Sequence, residues 1–324
     1  MPARSTARTL VAAALCVAGS AAVGQGTAYV TSEKDNALTL IDTTTLAVKG
    51  TIATCKRARH IQRMPDGKIM VACTDSNAAD VIDPATAKSV RRIPLGAEPE
   101  AFDLSPDGRT IYVSNEDEGE ASFVDAASGK KLRTVKVGKE PEGVKVSADG
   151  KTVYVTSEVA SMVHVIDTAS AKIVKNVKVG KRPRRMAITP DGRELWVTNE
   201  LDASVTIVST ADHGVIGTIR FEVKGARAED ITPVGIQMTR DGKHAFVALG
   251  RANHVAFVDV AARKVTDLVL VGKRAWNVAL DKTEARLWVV NGLSDDVTVV
   301  DVAGAKAARS IPVGRVPYGV VIVE

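Results

Sequence analysis

The sequence predicts an all-β fold, a single seven-bladed β-propeller of four-stranded antiparallel blades. Three observations carry that prediction. One strand pattern recurs seven times at nearly fixed spacing, Asp-Gly turns separate alternating apolar runs, and the two ends of the chain are out of phase with the repeat in complementary ways. Self-similarity at such a period marks a repeat architecture before any local propensity is consulted.

The first element of each repeat is a short β-branched and aromatic strand: AYVTS at 28–32, IMVAC at 69–73, IYVSN at 111–115, VYVTS at 153–157, LWVTN at 195–199, AFVAL at 245–249 and LWVVN at 287–291. A second strand follows and ends at Asp42, Asp83, Asp125, Asp167, Ser209, Asp259 and Asp301, in steps of 41 or 42 residues with one step of 50. A third strand leads to a Val-Gly or Leu-Gly turn, as at Gly96, Gly138, Gly180, Gly272 and Gly314. The fourth runs into an Asp-Gly turn at Asp66-Gly67, Asp107-Gly108, Asp149-Gly150, Asp191-Gly192 or Asp241-Gly242. Asp-Gly between alternating apolar runs signals a hairpin, because glycine accepts positive φ without a Cβ clash. No helical periodicity of useful length intervenes.

Seven such units fit a propeller, in which radial repetition hides most sheet edges. The chain opens with three strands, 27–54, and closes with one orphan strand, PYGVVIVE at 317–324. The orphan is the strand that the first blade lacks. It is therefore expected to complete blade 1 as its innermost strand, and truncation after Val316 is expected to open the ring. A linear solenoid does not account for this offset.

Composition agrees with a folded chain: 324 residues, 45% hydrophobic and 25% charged, with 12 aromatics counted from Phe, Trp and Tyr. These values exclude a disordered tail, a collagen-like fibre and a polytopic membrane protein. The formal net charge of +5 includes Arg4 and Arg8, and without them the balance is near neutral, so no nucleic-acid footprint is required. Residues 1–24 have the layout of a secretory signal peptide, with a basic start, an apolar run from Leu10 to Val17 too short to span a bilayer, and small residues at Ser20, Ala22 and Gly24. The expected organisation is a leader over 1–24 and a propeller over 25–324, exported to the periplasm as a monomer with no membrane span. Cys55 and Cys73 remain after the leader, an even count that permits one disulfide between blades 1 and 2. No CxxCH, CxxC or HExxH occurs, so neither a c-type haem nor a common zinc spacing is present.

The YVTN, VID, VG and PDG signatures resemble the YVTN-type β-propeller repeat family across the whole mature chain. The stretch FEVKGARAEDITPVGIQMTRDGKHAFVALGRANHVAFVD at 221–259, with LVGKRAWNVAL and NGLSDDVTVVDV, is similar to the β-propeller family associated with PQQ-dependent catabolism. That resemblance implies a periplasmic setting beside a quinoprotein alcohol dehydrogenase and its c-type cytochrome, as possible partners. It implies no reaction, and no cofactor held by the chain itself.

Function in a propeller concentrates where inner-strand loops converge on the axis. The residues just after each inner-strand start form a ring by alignment: Arg59, Glu100, Glu142, Arg184, Val234, Trp276 and Tyr318. Two cations, two carboxylates and two aromatics on a symmetric frame make this ring the candidate ligand or partner site. Glu33, Glu116, Glu158 and Glu200 form a second ring, which could receive Arg59, Arg184, Arg185 or Lys181 as ion pairs or hold a cation. Trp276 and Tyr318 could stack on a planar ligand or plug the channel. His60 is the one histidine beside the axial ring and a candidate general base, although no nucleophile accompanies it. The extra residues between Phe221 and Pro233, KGARAED among them, read as a polar protrusion.

Three functions compete on this reading. The first is a non-catalytic scaffold serving quinoprotein alcohol oxidation. The second is a lactonase-like, metal-dependent hydrolase, for which only the Glu33, Glu116, Glu158 and Glu200 set offers a ligand cluster. The third, single-stranded DNA binding, would want a basic groove with interleaved aromatics, and the near-neutral charge disfavours it.

Overall fold

The computed structural model describes residues 26–324. The expected leader, 1–24, lies outside the described residues. Seven sheets of four antiparallel strands succeed one another along the chain. Blade 1 takes Thr27–Ser32, Ala37–Asp42 and Val48–Ala53, and the remaining blades cover 58–94, 99–136, 141–178, 183–220, 236–270 and 275–312. The final strand, Pro317–Val323, pairs with Thr27–Ser32 (Ala28 opposite Ile322, Tyr29 opposite Val321, Val30 opposite Val320) and so becomes the innermost strand of blade 1. It also contacts the inner strands Ala58–Arg63 and Ala275–Leu280, which closes the ring.

Burial explains the repeat. The recurrent YVTN-type strands are buried almost end to end, since each is packed on both faces by the neighbouring blades. The outer strands are mostly exposed and fully buried at one position each, filled by Ile52, Ile93, Val135, Val177, Ile219, Val269 and Ile311. Those residues immediately precede the Val-Gly turns or their equivalents and seal the blade rim. At the Asp-Gly turns the aspartate fixes the loop: Asp107 Oδ1 accepts from Ser105 Oγ at 2.6 Å and from the Arg109 N–H at 3.1 Å. Asp149, Asp191 and Asp241 repeat the pattern.

The hydroxyl in the YVTN strand stitches adjacent blades at the axis. Thr156 Oγ1 accepts the Gly143 N–H at 2.7 Å and donates to the Arg184 carbonyl at 3.0 Å, joining two inner strands. Thr31 links Gly319 to Arg59, and Thr198 links Arg185 to Val234, in the same way. The approach is so close that a Cβ on Gly143 would collide with the Arg184 carbonyl oxygen, so only glycine fits there.

The insertion departs from a pure protrusion. Residues Lys224, Gly225, Arg227 and Ala228 are exposed, but Phe221, Val223 and Ile231 tuck into the core between blades 5 and 6. Its apolar anchors were hidden in the sequence by the polar residues between them. Cys55 and Cys73 are joined as a disulfide, with Cα atoms 5.6 Å apart. Among the described residues no helix is long and apolar enough to cross a membrane.

Candidate functional site

Six of the seven inner strands enter the axis with a register irregularity at their start: between Ala58 and Ile61, Pro99 and Ala101, Pro141 and Val144, Pro183 and Met186, Ala275 and Asn277, and Pro317 and Val320. Such bulges re-aim side chains that strict alternation would send to opposite faces. They explain how Arg184 and Arg185, consecutive in sequence, both reach the same network.

The aligned ring residues do meet. Arg184 Nη2 lies 3.0 Å from Glu142 Oε1, and its Nη1 pairs with Glu158 and reaches Glu200 Oε2 at 3.5 Å. Arg59 pairs with Glu100 and approaches Glu33 at 3.8 Å. Tyr318 donates its hydroxyl to Glu142 Oε1 at 3.1 Å and accepts from Arg185, whose other terminal nitrogen donates to the Glu142 carbonyl at 2.9 Å. Trp276 and Tyr318 pack together with Val234, ring centroids 5.6 Å apart. The Arg59 guanidinium stands 4.3 Å over Tyr318 and that of Arg184 stands 5.2 Å from Trp276. These aromatics therefore act as the plug and carry the cations on their faces.

The second ring does not converge. Glu158 and Glu200 share Arg182 Nε at 2.7 and 3.1 Å, and Glu33 pairs with Arg57 at 3.4 Å. Glu116 instead gathers with Glu98 and Glu100. The four glutamates thus form no single ligand set, whereas the alternative of ion pairs is met, with Glu33 near Arg59 and Glu158 and Glu200 on Arg184. The sequence alignment put them at equivalent heights but could not show where the arginine side chains would fall.

Above the plug an axial cavity of about 380 Å³ is lined by Arg57, Arg59, Arg182, Arg184, Arg251 and Arg274 and by Glu116, Glu142 and Glu200, with Trp276, Leu201 and Thr232 completing the wall. Arg57, Arg182 and Arg274 fall two residues before ring members, and Glu98 and Glu140 hold the same place in their blades. This third periodic set passed unnoticed in the sequence, although its period was there to find. Its members take left-handed backbone, with φ of 57° at Arg57, 54° at Arg182 and 59° at Arg274.

His60 lies elsewhere. It packs edge-on against Phe102 with centroids 4.8 Å apart and lines a separate cavity at the opposite end of the axis with Gln62, Asp103 and Lys145. Burial pushes its pKa down to about 3, so the imidazole is neutral there. It is not the base of the axial mouth.

The carboxyls of the mouth are driven apart in acidity. Burial, reinforced by the charge of Glu142, pushes Glu100 up to about 8. Burial likewise raises Glu158 to about 7 against the pull of Arg184. Glu116 is raised as well, by burial and then by Glu142. Glu142 moves the other way: Arg184, Arg185 and Arg59 overcome its burial and hold it well below the ordinary carboxylate range. For Glu100 and Glu158 the native state binds the proton more tightly than the unfolded chain, whose glutamate pKa is about 4.3. Stability is thus expected to fall as pH rises from about 4.3 through their native values. Urea denaturation at pH 5, 7 and 9 should show this decline in wild type and a shallower one in Glu100→Gln, and an unchanged slope in the variant would refute the assignment.

Comparison with solved structures shows the same fold elsewhere. The periplasmic gluconolactonase of Pseudomonas aeruginosa superposes with a TM-score of 0.79 at 19% identity, over 93% of this chain and 99% of that one. A putative 6-phosphogluconolactonase of Bacteroides uniformis gives 0.77 at 15% identity, over 92% and 99%. A Kuenenia stuttgartiensis hydrazine synthase chain gives 0.77 at 23%, over 85% and 92%. At such identities these likenesses establish the fold. Among curated proteins none matches the sequence. Residues 117–212 match the family model described as Arylesterase.

The expected closeness to the PQQ-associated propellers finds no support among these matches, and the non-catalytic scaffold role is overturned by a second family model. The reason is that repeat signatures such as YVTN report the blade, which many propellers share, and not the chemistry mounted on it. The chain is a seven-bladed β-propeller that, over residues 168–308, matches the family model described as Lactonase, 7-bladed beta-propeller.

Proposed function

We propose that the protein is a lactone hydrolase working in the axial cavity. The observation that carries this reading is the cavity itself, in which the half-buried, proton-hungry carboxylate of Glu116 shares a wall with the guanidinium groups of Arg59 and Arg184. The Nε–H groups of both arginines are buried without an acceptor. The match of residues 168–308 to the lactonase model supports the same chemistry.

In this reading Glu116 removes a proton from water as its oxygen adds to the lactone carbonyl carbon. Arg59 and Arg184 stabilise the oxyanion that forms, as preorganised donors in a site shielded from bulk water. The ring C–O bond then breaks, Glu116 returns its proton to the departing ring oxygen, and the product is a hydroxy acid that ionises in water. A carboxylate with a raised pKa suits both proton transfers near neutral pH. No metal enters these steps. The disulfide and the leader-like N-terminus support an exported, oxidising location for this activity.

A pH-stat assay of glucono-1,5-lactone, γ-butyrolactone and 6-phosphoglucono-1,5-lactone tests the reading. Wild type should open at least one of them, and Glu116→Gln should slow it by about 10²–10⁴-fold. Inertness of wild type toward all three, or full activity of the variant, would overturn it.

A further inference from the structure

We infer that a side pocket between blades 7 and 1, walled by Trp276, Leu293, Val316, Pro317 and Tyr318, takes an apolar alkyl substituent carried on the lactone ring of the substrate. This names a substrate class for the hydrolase reading and rests on it.

The pocket is a space of about 220 Å³ that adjoins the axial cavity, and the two share Arg59, Arg274 and Trp276 as lining residues. It exists because blades 7 and 1 break the periodic sets of the mouth at the same point. Directly after the YVTN-type strand, where Glu33, Glu116, Glu158 and Glu200 stand, blade 7 has Gly292. A Cβ built there meets nothing closer than the Pro317 carbonyl oxygen at 3.5 Å, so the missing side chain leaves usable space. Blade 6 also has a glycine at this place, Gly250, but a Cβ on it would collide with Thr232. Val316 takes the place that Arg57, Glu98, Glu140, Arg182 and Arg274 hold in other blades. Its backbone is left-handed, with φ of 52°, the conformation to which a β-branched residue is least suited. Two adjoining blades thus withhold charge from one sector of the rim and supply carbon instead.

The charged groups that remain in the lining are already engaged. Glu33 pairs with Arg57, Arg59 pairs with Glu100, and Arg274 lies over the Trp276 ring at 4.5 Å. What is left to meet a ligand is aliphatic and aromatic surface, whose burial is favourable by area and asks for no particular hydrogen bond. Leu293 keeps 62% of its surface open at the edge of the pocket, and a ligand there would cover it. Arg59 ties the pocket to the chemistry. The hydrolase reading sets it at the oxyanion, and it lines the side pocket as well, so a lactone whose carbonyl is held by Arg59 has this apolar wall beside it.

Titration with pyrrolidin-2-one and 5-butylpyrrolidin-2-one, γ-lactams whose amide resists hydrolysis, tests the pocket without turnover. Each buried methylene is worth about fourfold in affinity. The butyl compound should therefore bind wild type about ten- to a hundredfold more tightly, read by calorimetry and by a change in tryptophan emission from Trp276. Trp196 and Trp288 are fully buried and give a constant background. Gly292→Leu should erase the advantage while pyrrolidin-2-one binding persists, and Leu293→Ser, on an exposed side chain, should reduce it. In the pH-stat assay KM should fall in the same order from γ-butyrolactone to γ-octalactone, its butyl derivative. Absent or equal binding of the two lactams by wild type, or an advantage kept in full by either variant, overturns the inference. If γ-butyrolactone is hydrolysed but the butyl group brings no advantage to lactam or lactone, this inference fails and the hydrolase reading stands. If the butyl lactam binds with the expected advantage while every lactone is inert, the apolar pocket stands and the hydrolase reading fails.

Discussion

Stopping the chain at Val316 is expected to abolish cooperative folding, whereas removing Glu324 alone should leave it intact. The final strand supplies the whole inner edge of blade 1, and without it the backbone of Ala28, Tyr29 and Val30 loses its ladder partner. The same truncation takes Val320 from the cluster that holds Trp288, Val290 and Ile311, and Tyr318 from the axial plug. A single large-to-small core change costs about 2–5 kcal/mol. Several such losses, together with an exposed strand edge, exceed the ~5–15 kcal/mol by which domains are stable. Thermal denaturation followed by circular dichroism checks the prediction, and adding a peptide of residues 317–324 in trans should restore part of the transition. A truncated chain with a wild-type melting curve would show that ring closure is dispensable.

That strand was legible in the sequence because closure leaves a phase mark: three strands at the start, one at the end. The ring of Arg59, Glu100, Glu142, Arg184, Trp276 and Tyr318 was legible for a related reason, since strict repetition gives equivalent residues equivalent places. Alignment fixes position along the axis but not side-chain reach. Glu33, Glu116, Glu158 and Glu200 stood in register in the sequence, and still Arg182 drew Glu158 and Glu200 together while Glu33 paired with Arg57 and Glu116 fell beside Glu98 and Glu100. The bulges that bring Arg184 and Arg185 into one network are backbone events that no residue type announces. Arg251 was hidden for a different reason. It falls two residues after the AFVAL strand, a place held by Lys34, Asp75, Asp117, Val159, Leu201 and Leu293 in the other blades, so no shared residue type marks it.

The second large effect falls on Glu142, at the centre of the plug. Glu142→Ala is expected to cost about 3–5 kcal/mol of folding stability, the range for removing one partner of a buried ion pair. The site makes the upper part of that range plausible on physical grounds. Glu142 is 3% exposed and compensates Arg184 and Arg185 directly, at 3.0 and 3.4 Å. Its neighbour Glu100, raised to about 8, holds its proton at neutral pH and so contributes little negative charge to the shared field. Arg185 therefore depends on Glu142, and Arg184 shares it with Glu158 and Glu200. The two buried carboxyls, one acid and one anion, meet different cations, Glu100 pairing with Arg59 and Glu142 with Arg184 and Arg185, and the charge of Glu142 helps to keep the proton on Glu100. The division sets a discriminating test by chemical denaturation at pH 7. Glu142→Gln should destabilise strongly because it removes charge, whereas Glu100→Gln should be nearly neutral because it replaces a protonated carboxyl by its isostere. Adding Arg184→Gln to Glu142→Gln should cost much less than the sum of the two single changes, since each leaves the other's charge unpaired. Equal losses in the two glutamine variants would mean that the proton does not reside on Glu100, and the arrangement of acid and anion at the axis would have to be reversed.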